Sequence, residues 1–148
     1  MGVRLRLDSI SASLADSFRK ADDEQRRQAA LATCLVAVAR AGLQGNEIDA
    51  AVDFLRHGGG DQLAVRRKLD SLTEQFDEQY FKLNEDADSI TPEALLVFRK
   101  ARAAAALAFA LSRDPGQLHE AMYEAIVALD DQAEAVRAAD VALRSRRH

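Results

Sequence analysis

Tryptophan is absent from this 148-residue chain, cysteine occurs once, methionine and proline occur twice each, and aromatics make up only 5% of residues. The lone Cys34 excludes an internal disulfide, and its place in an apolar helical run reads as a small core residue rather than a catalytic thiol. With so few aromatics, the 48% hydrophobic fraction leans on 29 alanines. Small side chains let backbones approach closely, which favours tightly spaced helices. Long hydrophobic runs are missing as well. The longest, residues 103 to 111, is nine residues, about 14 Å of helix against roughly 30 Å of bilayer hydrocarbon, so no membrane span is expected. Nor is there an excess of positive charge: the net charge is −4 and the pI 5.4, which argues against a broad nucleic-acid surface. Val3-Arg4-Leu5-Arg6-Leu7 runs into Asp8 with no apolar stretch of signal-peptide type, and the chain reads as a cytoplasmic, bacterial protein.

What is present is helical periodicity. The seven glycines and two prolines fall near the start or at breaks, and between them apolar residues recur every three or four positions. Leu7, Ile10, Leu14 and Phe18 predict a first helix. Asp22 with Gln25 forms a capping box for a second, which carries Leu31, Cys34, Leu35 and Val38 and ends before Gly42. Asn46 is expected to cap a third helix, stopped by Gly58-Gly59-Gly60. Asp61 opens the longest, to about Leu83, with a stripe of Val65, Leu69, Leu72, Phe76, Tyr80 and Leu83. Thr91-Pro92-Glu93 starts a fifth, Asp114-Pro115-Gly116-Gln117 a sixth, and Asp131 with Glu134 a seventh. The short connections predict antiparallel neighbours, with the last three helices as an up-down unit. The fold expected is a single-domain, all-α antiparallel bundle of six or seven helices over residues 1–148. In it 1–7 form an extended arm, 144–148 form a frayed basic tail, and the alanine-rich segment 101–111 is the central helix or half of a dimer seam.

Candidate chemistry is sparse. Arg113-Asp114-Pro115-Gly116-Gln117-Leu118-His119 resembles the Arg-x4–6-His motif of the all-helical HEPN ribonucleases. That resemblance implies Arg113 and His119 acting on the 2′-OH and scissile phosphate of RNA, against which the acidic balance of the chain argues. The plainer reading is Asp114 as helix cap and His119 one turn in, partly exposed. Asp49, Asp53 and His57 share one helix face, but the Glu-x-x-His pairs of a di-metal bundle are missing. The acidic stretch Asn84-Glu85-Asp86-Ala87-Asp88 lacks the glycine and terminal Glu of a calcium loop. Gly58-Gly59-Gly60 follows a helix with no preceding strand, so it reads as a stop, not a phosphate cradle. No metal or cofactor is therefore assigned. Glu120 and Glu124, four apart, are expected to face water.

Residues 98–103, 111–114 and 120–125, within a region of about 91–131, are similar to small all-α bacterial proteins, some of immunity-protein type. These carry an alanine-rich helix followed by a Tyr-Glu-Ala helix. The resemblance brings no catalytic residues and implies a non-enzymatic protein that neutralises or assists another protein. An acidic surface from Glu85, Asp86 and Asp88, or from Glu120 and Glu124, would steer toward a basic partner. A ribonuclease using Arg113 and His119 and a structural homo-oligomer, such as a homodimer, are the alternatives.

Overall fold

A computed structural model describes residues 4–58, 60–85, 89–112 and 114–144. Among them are seven α-helices and no strand: α1 (Ala12–Lys20), α2 (Asp23–Ala41), α3 (Asn46–His57), α4 (Gln62–Asn84), α5 (Pro92–Ala110), α6 (Leu118–Val127) and α7 (Ala133–Arg144). Short 3-10 turns cover Arg6–Ser9 and Pro115–Gln117.

Most helix starts follow from local hydrogen bonding. Asp22 accepts the Gln25 N–H at 2.7 Å while the Gln25 side chain accepts the Asp22 N–H at 2.9 Å, so two otherwise orphaned donors satisfy each other's partners. Asp61 and Thr91 cap α4 and α5 by accepting from Ala64 and Ala94, each at 3.1 Å. Gly42, at φ 67°, ends α2 in the left-handed conformation that favours glycine. Three expectations change. Asn46 is the first helical residue of α3 rather than its cap; Gly45, at φ 135°, holds the cap position without a side-chain bond. The predicted first helix is broken, because Ser11 accepts the Leu14 N–H at 3.1 Å and restarts the chain as α1. The arm read as extended over 1–7 turns into a 3-10 helix at Arg6, and Leu7 is wholly buried. Residues 1–3 and the tail beyond Arg144 lie outside the described residues.

α2 and α5 form the centre. α5 touches α2, α3, α4 and α6, while α2 also carries α6 and α7. The last helix therefore docks mainly on α2, not on α6 as an up-down unit of the final three would have it. α6 is buried on Leu118, Ala121, Met122, Ala125 and Ile126, and its apolar surface is used against α2 and α5. Ala135, Ala139 and Leu143 of α7 are buried as well.

The alanine-rich segment is core. Ala101, Ala103, Ala104, Ala106, Leu107, Ala108, Ala110 and Leu111 are all buried within the one chain. Without large side chains, several helices can crowd onto one. α4 is the opposite case: of its 23 residues only Leu69 is buried. Its partners on α5 step backward as α4 advances, from Gln62 with the Leu111 carbonyl, through Asp77 with Arg102, to Tyr80 against Phe98. No helix is long and apolar enough to cross a membrane among the described residues.

Candidate functional site

His119 lies in the first turn of α6 and is 8% exposed, not partly exposed as its sequence position suggested. Its ring meets Phe18 of α1 edge-on, with centroids 5.6 Å apart. Nδ1 is buried without a hydrogen-bond partner, and the nearest Glu120 oxygen is 3.6 Å away. Burial lowers the imidazole pKa; Glu120 opposes the shift, and Arg26 and Arg19 add to it. A ring covered by α1, with its proton affinity lowered by burial, is poorly placed to take a proton from a ribose hydroxyl. Arg113 lies outside the described residues.

The two acids expected on the surface beside it are drawn inward. Glu124 is 5% exposed and lies 3.0 Å from Arg102 and 3.6 Å from Arg6. Glu120 bonds Arg6 at 2.9 Å, and the Arg6 guanidinium stacks 4.0 Å over the Tyr123 ring. Arg102 extends the chain of charges to Asp77 at 3.1 Å. An ionised carboxylate leaves water only when paired, and here arginines from the Arg6–Ser9 turn and α5 supply the pairing. Glu120 and Glu124 therefore do not form a free acidic face. The sequence signal was Arg102 itself, a cation inside an alanine run that needs a carboxylate opposite. Its partners lie 22 and 25 residues away in sequence.

Elsewhere the three residues that share a face of α3 lie together. Asp49, Asp53 and His57 line a cavity of about 560 Å³ with Val38, Leu43 and Arg56, and no group of three His, Cys, Asp or Glu among the described residues is arranged to hold a metal. Burial pushes the Cys34 thiol up to about 12, which leaves it a protonated, unreactive core group. A groove of about 670 Å³ between α2 and α7 is floored by Ala32, Ala138 and Ala142, with one acid, Glu24, and one base, Arg137, on its lining.

What periodicity missed is a set of exposed hydrophobic residues at the end of α4 and the start of α5. Six large hydrophobic residues are exposed among the described ones, and four fall between residues 81 and 96: Phe81 (71%), Ile90 (58%), Leu96 (45%) and Leu95 (37%). The Tyr80–Phe98 contact, 5.6 Å between centroids, joins the end of α4 to the start of α5 at this point. Phe81 lies 100° around the helix from Tyr80, and the adjacent Leu95 and Leu96 cannot both face α4. Glu74, Glu78, Glu85 and Glu93, in the same part of the sequence, are exposed, while Asp86 and Asp88 lie outside the described residues.

The chain matches no family model, no curated protein and no solved structure. The reading of the site therefore rests on this geometry.

Proposed function

We propose that this chain is a non-enzymatic helical bundle that binds another protein through the end of the α4–α5 pair. The observation that carries this reading is the exposure of Phe81, Ile90, Leu95 and Leu96, four of the six exposed large hydrophobic residues among the described ones, within sixteen residues at the end of α4 and the start of α5. Isolated exposed hydrophobic residues are ordinary, but a local group rimmed by charge marks interaction surfaces. The burial of His119 weighs against the ribonuclease alternative. Enclosure of the alanine segment within one chain weighs against a homo-oligomer with its seam there. An immunity or accessory role, as the resemblance over residues 91–131 implies, is one form such binding takes.

The test places a photo-reactive phenylalanine at position 81 and, as a control, at the equally exposed Val141, in cells of the source. A protein adduct is expected from position 81, lost when Leu95→Ser and Leu96→Ser are added, and not formed from position 141. No adduct at 81, or one indifferent to the serine substitutions, sinks the reading.

A further inference from the structure

We propose that the face of α6 formed by Glu120, Tyr123 and Glu124 is a guanidinium-binding site. Arg6 fills it as an internal stand-in, which a guanidinium from outside the chain replaces.

The site is defined by what Arg6 touches. Its guanidinium bonds Glu120 at 2.9 Å, lies 3.6 Å from Glu124 and stacks 4.0 Å over the Tyr123 ring. Positions 120, 123 and 124 are three and four residues apart on one helix, so the carboxylates and the ring share a face. Carboxylates beside an aromatic plane select a flat cation that both stacks and donates in a fork, over the compact ammonium of lysine.

The walls of the site do not depend on Arg6. Glu124 is 5% exposed and is held separately by Arg102 at 3.0 Å. At 3.6 Å from Glu120 lies His119 Nδ1, a buried polar atom without a partner. Three acids, Asp77, Glu120 and Glu124, face two bases, Arg6 and Arg102. The cluster is therefore one charge negative with Arg6 in place and two with it gone, which attracts a cation.

The occupant is loosely fitted. The Arg6 side chain is 52% exposed and reaches both acids through the single nitrogen Nη1. Its approach to Glu124 is longer than a hydrogen bond. A ligand free of the backbone can offer two nitrogens to the pair, the bidentate arrangement that suits carboxylates. The turn carrying Arg6 is anchored elsewhere: Leu7 is wholly buried, and Asp8 accepts the Leu5 N–H at 2.7 Å and pairs with Arg19. Arg6 can swing into water while the turn holds, and exchange of one cation for another keeps Glu120 paired.

The test follows the Tyr123 and His119 ring resonances of the full chain by NMR. The native chain, Arg6→Ser and Arg6→Gln are titrated with N-acetylarginine amide, methylguanidinium and N-acetyllysine amide at constant ionic strength. Arg6→Ser is also combined with Tyr123→Leu and with Glu120→Gln, and every variant is checked for native helicity. The arginine amide should bind the native chain, and bind Arg6→Ser and Arg6→Gln about tenfold more tightly, as expected if Arg6 leaves the site open about a tenth of the time. Tyr123→Leu and Glu120→Gln should each weaken that binding about tenfold or more, and the lysine amide should be weaker by about as much.

If methylguanidinium binds as well as the arginine amide, a free guanidino compound suffices as ligand. If only the amide binds, the source is the arginine of a protein, and the site stands in both cases. Equal binding of the lysine amide shows plain electrostatics and overturns the inference. So does binding to the Arg6 variants with none to the native chain, which would make Arg6 a fixed structural plug, and so does the absence of binding to any of them.

Discussion

From Ala101 to Ala110, α5 is enclosed by its neighbours on almost every side, whereas from Pro92 to Phe98 only Ala94 and Val97 are buried and Leu95 and Leu96 stand in water. Backbone geometry is the same in both halves. The difference lies in side-chain size and in what reaches them. In the closed half, side chains of one carbon admit α2, α4 and α6 together, and stability comes from the number of close contacts rather than from bulk. In the open half, Leu95 and Leu96 stay 37% and 45% exposed, which leaves part of the roughly 1.5–3 kcal/mol of a full leucine burial unrealised. One helix thus builds the core at one end and offers a surface at the other.

The sharpest way to break this comparison is to damage the closed half. Leu107 is wholly buried between small neighbours that cannot collapse into the space it would leave. Leu107→Ala should cost about 2–5 kcal/mol in urea denaturation, the full range for a core leucine. A loss below about 1 kcal/mol would mean the alanine core is loose and the contrast between the two halves is false.

Next in size is the polar clasp beside that core. Glu124→Ala leaves Arg102 with Asp77 alone and Arg6 with Glu120 alone, and should cost about 2–3 kcal/mol. If pairing and not packing is responsible, Arg102→Met combined with Glu124→Leu should recover most of the loss. A double variant no more stable than Glu124→Ala would contradict that account.

Ala106→Leu and Ala105→Leu probe the closed half from the other direction. Ala106 is fully buried and Ala105 is half-buried, one step around the same helix. Overpacking should cost about 1–3 kcal/mol at position 106 and within about 0.5 kcal/mol at 105. Equal losses would show that α5 is enclosed more completely than its exposure pattern states.

Periodicity made the helices legible because capping and stripe spacing are local: Asp22 with Gln25, Thr91 with Pro92, and the full extent of α4 are all readable within a few residues. Core assignment of the alanine segment was half legible, since composition excluded a membrane but not a seam. The clasp was not, because Arg6, Arg102 and Glu124 are joined only by the fold. Leu7 was misread for the same reason, as alternation with Arg4 and Arg6 suggested an extended arm where a buried turn sits. The acids of residues 74 to 93 could be read as composition, but the exposure of Phe81 and Leu96 could not, because it depends on which faces of α4 and α5 the fold covers.

Smaller still is the pH dependence carried by His119. Burial sets its pKa below the ordinary 6.5 in the folded chain, so the unfolded chain binds more protons between the two values. Stability from the neutral ring is complete above about pH 6.5 and is lost as pH falls through the folded value. Asp8 contributes at more acidic pH, because hydrogen bonds from Arg19 and the Leu5 N–H hold its carboxyl below the usual range. Urea midpoints compared just above and just below pH 6 should therefore fall in the native chain and flatten in His119→Gln. An unchanged slope would show that the ring is more solvated than its place under Phe18 allows.

The smallest expected change in stability is at the open end, and it sharpens the comparison most. Phe81→Ser removes a side chain that mostly faces solvent and Leu96→Ser one that is about half covered, so stability of the free chain should shift by about 0.5 kcal/mol for the first and about 1 kcal/mol for the second. In the closed half, by contrast, a polar replacement of Leu107 should cost at least the about 2–5 kcal/mol of Leu107→Ala. If the tip variants melt like the native chain yet lose their partner, these residues serve association alone. If either one destabilises the free chain as much as Ala106→Leu does, Phe81 or Leu96 is covered in solution by the chain's own structure, and the open end of α5 is core after all.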